Sequence, residues 1–275
     1  MKYINNFTFF RSRPVKQEVN TSIFESNFYF DPTDIFYTFC SLTHKTYPHG
    51  TEQDALKYIN VPLQQDEHKN YFIKIGESNT MFASHLDSAT KETQNVKLIT
   101  FEKKNIKYVS TDGNTILGAD DKAGVTVMLY MIENKVPGLY YFFIGEEMGG
   151  LGSKNLAEIP TENLSHIKKC ISFDRKGYNS IITHQMMESC CSNQFADALC
   201  EQFNKNGLSL EKDETGIFTD SANFIGLIDE CTNISVGYFN EHTNKEYQNI
   251  TYLEKLCKAC VQIDWENLPI NQKTK

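Results

Sequence analysis

From residue 71 onward, short apolar runs alternate with helix-length stretches, and this alternation leaves few folds open to the chain. Residues 71–75 (YFIKI), 80–84 (TMFAS), 139–144 (LYYFFI), 170–173 (CISF), 180–184 (SIITH) and 234–236 (ISV) are too short for most helices and read as strands. Residues 123–132, 152–157, 194–206 and 251–263 carry helical spacing. Residues 97–101 and 106–110 read as paired edge strands around a polar turn. A run such as LYYFFI, apolar throughout, belongs to a strand buried on both faces. The expected fold class is therefore α/β, a three-layer α/β/α sandwich around a mixed, mostly parallel sheet. Upstream, residues 35–59 read as two short helical stretches separated by a turn at 47–50, with Thr51 as the cap of the second. Residues 1–34 read as an N-terminal extension or an edge element.

The chain has 275 residues, enough for one large α/β domain or two smaller ones. No internal repeat, low-complexity tract or linker divides it, and a single domain over 1–275 is expected. Lys and Arg number 27 against 35 Asp and Glu, a formal net charge of -8. That balance speaks against a nucleic-acid partner and gives no sign of a membrane partner. No segment approaches the roughly 18 consecutive apolar residues of a membrane span, and the N-terminus lacks a signal-peptide run, so the expected compartment is the cytoplasm. The eight cysteines are then expected as reduced thiols. Cys257 and Cys260 fall in a helix-like run, YLEKLCKACVQI, without a second such pair or a flanking histidine, and read as core residues. The adjacent Cys190 and Cys191 read the same way.

Five segments carry the chemistry: SHLDSAT, GADDKAG, GEEMGG, SFDRKG and NEHTNKEY. His85, Glu146 and Asp174 each follow a short apolar strand, and in open α/β sheets ligands bind beyond the carboxyl ends of strands. Three such ends can converge although they lie far apart in sequence. In His85-x-Asp87 the imidazole can bind a metal while the carboxylate holds its other nitrogen. In GADDKAG, small residues flank two acids just before a helix, and the two oxygens of Asp120 can bridge two cations. Two adjacent carboxylates, Glu146 and Glu147, at the end of a buried strand call for compensation. A metal can bind one and leave the other as general base toward a metal-bound water. Each segment also has a plainer reading: a surface turn at His85, a helix cap at Asp120, an acidic first turn at Glu146 and an exposed loop at His242.

The order of these motifs resembles the di-zinc exopeptidases, the related aminopeptidase, carboxypeptidase and tripeptidase families that share one catalytic domain (M20, M28 and M42). TDGNTILGADDKAG is most similar to tripeptidase-like and M20-type sequences, and PHGTEQDALKYI resembles the first helix of that domain. The resemblance covers roughly residues 36–263. It implies a cofactor of two Zn2+ ions, with Co2+ or Mn2+ also tolerated by such a donor set. By the same resemblance, His85 and Asp174 ligate one ion, Glu147 and His242 the other, and Asp120 bridges them. Asp87 orients His85, Glu146 is the general base, and the Asp120–Asp121 peptide is cis.

The interval from Asp174 to His242 is 68 residues and carries core-like elements of its own, which leaves no room for a separate lid domain. The wording of the motifs is thus closer to M20 and tripeptidases, and the architecture closer to the single-domain M28 type. The implied activity is zinc-dependent hydrolysis of a peptide bond in short peptides, by an amino-, di/tri- or carboxypeptidase. Deacylation of an N-acyl amino acid on the same scaffold and an inactive metal-binding interaction module are the alternatives, with glutaminyl cyclisation a further one. Thr219-Asp220-Ser221 lines the pocket or caps a helix; Arg175 and Lys176 meet a substrate carboxylate or form a solvated turn. The sequence leaves the oligomeric state open.

Overall fold

A computed structural model describes residues 14–24 and 33–271. Its centre is an eight-stranded sheet in the order Glu211–Asp213, Ser180–Ile182, Glu230–Ser235, Lys169–Arg175, Thr80–His85, Gly138–Phe143, Tyr71–Ile75, Gln64–Gln65. Thr80–His85 runs parallel to both of its neighbours, Lys169–Arg175 and Gly138–Phe143. Antiparallel pairing enters at Tyr71–Ile75 on one side and between Ser180–Ile182 and Glu230–Ser235 on the other. The sheet is thus mixed and mostly parallel, as the run pattern requires.

The alternation of side chains along a strand explains the three layers. All six residues of Gly138–Phe143 are buried. Tyr140 and Phe142 point into one core, with Phe82, Ile171 and Phe173. Leu139, Tyr141 and Phe143 point into the other, with Met81, Ala83 and Cys170. The first core is covered by α1 (Ile35–Thr43), α2 (Ala119–Glu133), α4 (Asn193–Lys205) and α5 (Ile250–Cys260), and the second by α3 (Leu151–Glu158), which contributes Leu156. In α4 the buried residues Phe195, Leu199 and Phe203 recur every fourth position, and Ser192 caps the helix by accepting from the Phe195 N–H. All eight cysteines are unbridged, and Cys257 and Cys260 are buried in α5, where burial pushes both thiols well above their usual range. No helix among the described residues is long and apolar enough to cross a membrane.

A second, antiparallel sheet stands beside the first, in the order Lys16–Glu18, Leu98–Lys103, Ile106–Thr111, Tyr247–Asn249, Tyr238–Phe239. The expected pair at 97–101 and 106–110 is its middle. Of the N-terminal stretch, Lys16–Glu18 forms an edge strand here; residues 1–13 and 25–32 lie outside the described part. The turn at 47–50 separates α1 from a 3-10 segment, Glu52–Tyr58, as expected, but Thr51 does not cap it. Its hydroxyl donates to the Pro48 carbonyl instead, and the Glu52 carboxylate accepts from the Gly50 N–H and pairs with His49.

Candidate metal centre

The carboxyl ends of three adjacent parallel strands meet at one point. His85 is the last residue of Thr80–His85, Asp174 is next to last in Lys169–Arg175, and Glu146 and Glu147 begin a short turn just after Gly138–Phe143. Asp120 arrives from the first turn of α2, where it and Asp121 lie off helical angles and are joined by a cis peptide bond. His242 arrives from the loop between Tyr238–Phe239 and Tyr247–Asn249 of the second sheet.

The two oxygens of Asp120 face the two imidazoles. Oδ1 lies 3.0 Å from His85 Nε2, and Oδ2 lies 3.1 Å from His242 Nε2. Asp174 Oδ1 is 3.8 Å from His85 Nε2, and Glu147 Oε1 is 2.9 Å from His242 Nε2. Glu146 Oε2 stands 3.9 Å from His85 Nε2. Asp87 lies behind His85, its Oδ1 3.4 Å from Nδ1, and its two oxygens accept from the Glu146 and Glu147 N–H groups, each at 3.1 Å. All seven residues singled out in the sequence therefore stand around one point.

Their surroundings were less visible in the sequence. Thr219 donates to Asp174 Oδ2 at 2.6 Å, and the Tyr238 hydroxyl donates to Asp174 Oδ1 at 3.0 Å. The carboxylate of Glu246 accepts from the N–H groups of Leu117, Gly118 and Asp120, and so holds the loop that delivers Asp120. Asp121 accepts from the His85 and Gly124 N–H groups, and buried Lys122 donates to the Asp87 carbonyl. The signal for Glu246 was its position four residues after His242 in NEHTNKEY; for Asp121 and Lys122 it was the GADDKAG turn itself. Thr219 thus belongs to the site through Asp174. Asp220 is fully buried with Oδ1 unbonded. Arg175 and Lys176 both line the cavity, but each is tied to an acid, Asp213 at 3.2 Å and Glu241 at 2.7 Å.

The electrostatics are those of a buried acidic cluster that a cation would compensate. Burial, reinforced by the charges of Asp174, Asp220 and Asp120, pushes the Glu146 carboxyl up to about 10. Burial with the charges of Asp120 and Asp121 raises Asp174, and burial raises Asp121. The Asp120 and Glu147 carboxylates that face its ring raise His242 to about 11. Burial opposes charge on His85, yet Asp120 and Asp87 outweigh it and raise this imidazole too. Burial likewise opposes the charge on Asp120, but the His242 and His85 hydrogen bonds win and lower it. The acids outnumber the imidazoles, and buried charges require a counter-ion. Donor atoms of His85, Asp120 and Glu147 lie within 4.8 Å of one another, as do those of His85, Asp121 and Asp174. The second trio is the less suitable as it stands, since Asp121 is committed to two backbone N–H groups. Glu147 Oε1 is buried and, despite its 2.9 Å approach to His242, makes no hydrogen bond of acceptable geometry. An imidazole and carboxylate donor set of this kind suits zinc, cobalt or manganese.

No protein-family model matches the chain. Over 56 residues it is 52% identical to the uncharacterized protein YqjE of Bacillus subtilis (strain 168), a stretch that spans 18% of this chain and only 15% of that one. Among solved structures it is similar to the aminopeptidase PepT of Bacillus cereus ATCC 10987, with a TM-score of 0.68 and 15% identity, covering 86% of this chain and 98% of that one. It is similar as well to a tripeptidase of Staphylococcus aureus subsp. aureus mu50, at a TM-score of 0.64 and 17% identity over 86% and 98% of the two chains. A third similar structure is the TET1 peptidase of Pyrococcus horikoshii, at 0.63 and 16% over 83% and 98%. At these identities the likeness is one of fold: this chain has the α/β fold found in those peptidases.

Proposed function

We propose that the protein is a two-metal peptidase that hydrolyses a peptide bond at the end of short peptides, within a single domain that has no lid. The observation that carries this reading is Asp120, whose two oxygens each face a different imidazole, His85 at 3.0 Å and His242 at 3.1 Å. That arrangement suits a bridging carboxylate, with Asp174 completing the donor set around His85 and Glu147 the set around His242. The peptidase folds to which the chain is similar support the choice of peptides as substrate.

Two bound divalent cations, zinc foremost, supply a polarised scissile carbonyl and an acidified water. The protein's own residues do the rest. Glu146, whose Oε2 lies 3.9 Å from His85 Nε2, is kept protonated by burial and its acidic neighbours alone; with cations compensating those acids its carboxyl would ionise, and Oε2 would take the proton of the attacking water and pass it to the leaving amine. Asp87 keeps the His85 ring in one orientation. The cavity that contains Asp120, Glu146 and His242 measures about 330 Å³, the low end of the roughly 300–1,000 Å³ range for ligand pockets, which suits a short peptide.

The test is metal content measured beside a cleavage screen of di- and tripeptides with each end blocked in turn and of N-acyl amino acids. Two metal equivalents and cleavage of peptides with one free terminus are expected. Cleavage confined to the acyl amino acids would make the protein a deacylase, and a fully loaded protein without hydrolysis would make it a binding module.

A further inference from the structure

The cavity that contains the acids has a second wall, of a different character. Ile182, Ile217 and Phe218 line it together with the metal-binding residues. Ile182 is fully buried, whereas Ile217 is 66% exposed; exposed aliphatic side chains are ordinary on a protein surface, and what distinguishes Ile217 is that it lines the cavity that holds the acids.

The loop that presents Ile217 is fixed by close approaches on both sides. Gly216 forms a parallel bridge to Gln185, and a Cβ there would overlap the His184 carbonyl oxygen and the Ile182 side chain. On the other side, Gly150 has a φ of +69°, and a Cβ on it would overlap the Phe218 ring. The next residue, Thr219, donates to Asp174 Oδ2 at 2.6 Å. One short loop thus orients a proposed metal ligand and holds an apolar side chain open to the same cavity.

The charges in the cavity decide what that side chain is for. Arg175 Nη2 is taken by Asp213 Oδ2 at 3.2 Å and by Thr215 Oγ1 at 2.9 Å. Lys176 Nζ is taken by Glu241 Oε1 at 2.7 Å. An acidic substrate side chain meets carboxylates and two cations that are already paired. A basic one meets Glu241, itself paired with Lys176, and carboxylates that the proposed cations and base function already engage. An apolar side chain loses no such partner and covers Ile217.

We propose that Ile217, backed by Ile182 and Phe218, is the specificity determinant of the site and receives an aliphatic or aromatic side chain on the residue flanking the scissile amide. This rests on the peptidase reading given above.

The test has two arms. In the first, metal-loaded wild type, Ile217→Asp, Ile217→Val and Met187→Asp are compared on Gly-Gly, Leu-Gly, Gly-Leu, Asp-Gly and Gly-Asp. Met187 is a control because it is 98% exposed at a hairpin tip and does not line the cavity. In wild type, leucine at one of the two positions should raise kcat/KM about 10-fold or more over glycine, within the range that hydrophobic pockets reach, and aspartate should not. Ile217→Asp should bring the leucine-to-glycine ratio to near one, while Ile217→Val and Met187→Asp keep it. In the second arm, calorimetry measures the binding of the same peptides to the Glu146→Gln variant and to Glu146→Gln combined with Ile217→Asp. The same ratios should appear without turnover. A ratio near one in wild type at both positions overturns the proposal, as does a ratio unchanged by Ile217→Asp or equally reduced by Met187→Asp. Absent hydrolysis with the binding ratios intact overturns the peptidase reading and leaves the apolar wall standing; absence of both overturns both.

Discussion

Glu146 and Glu147 are neighbours in the chain with different surroundings. Glu147 turns toward His242, 2.9 Å away, whereas Glu146 stands between His85 and the charges of Asp174 and Asp220. The proposal of one ligand and one base for this pair rests in the sequence on both acids following a buried strand. The reading of Asp87 as the partner of His85 was legible from the HxD spacing. Its second task was not: accepting from both glutamate N–H groups is a contact across 59 and 60 residues that no local pattern encodes. Replacing Glu146 by Gln keeps its shape and removes its basicity. Turnover is expected to fall by about 10²–10⁴-fold, the usual range for a lost general base, while metal analysis gives wild-type stoichiometry. Near-normal turnover in a folded, metal-loaded variant would rule out the proposed base.

At the scale of elements, six of the eight strands of the central sheet were legible because they are short apolar runs between helix-length stretches, whereas its polar edge strands Gln64–Gln65 and Glu211–Asp213 were not. Most of the second sheet was not. Tyr238–Phe239 and Tyr247–Asn249 are two and three residues long, and Lys16–Glu18 is fully polar. Yet this sheet delivers His242, which in sequence reads as an ordinary loop histidine. His242→Ala is expected to lose one of two metal equivalents on dialysis against a metal buffer; retention of both would remove His242 from the ligand set. The same hairpin carries Glu246, which ties the second sheet to the start of α2 by accepting from the Leu117, Gly118 and Asp120 N–H groups. Glu246→Gln leaves one oxygen for three donors. A loss of about 1–3 kcal/mol is expected for stranding buried donors, read as a lower urea midpoint, and metal affinity should fall with it because Asp120 loses its anchor. An unchanged midpoint would show that the loop stands without the anchor.

For the molecule as a whole, acid sensitivity has a nameable contributor outside the candidate metal centre. Burial acts to raise Asp213, but bonds from Thr215 and Ser180 and the charge of Arg175 prevail and lower its carboxyl to about 2. A carboxylate depressed in the folded state stabilises the fold above its unfolded pKa, near 3.9, and loses that contribution as pH falls toward 2. Solvent screening at this partly exposed site keeps the effect small. The urea midpoint of Asp213→Asn should lie below wild type at pH 7, and the gap should narrow by pH 2.5. A gap that is constant with pH would assign the loss to packing instead of charge.

Asp87 has a consequence for how this chain tolerates change in length. The relation between His85 and the two glutamates is set by the parallel pairing of Thr80–His85 with Gly138–Phe143 and locked by contacts to the Asp87 carboxylate; the residues between Asp87 and Gly138 enter neither. Turns in that span, such as the one at Lys104 and Asn105, lie at the surface, at the far end of a hairpin of the second sheet. Insertions there are expected to change the contour of the molecule and spare the candidate site, whereas the loss of one small side chain at position 87 would disturb the proposed ligand His85 and the proposed base Glu146 together.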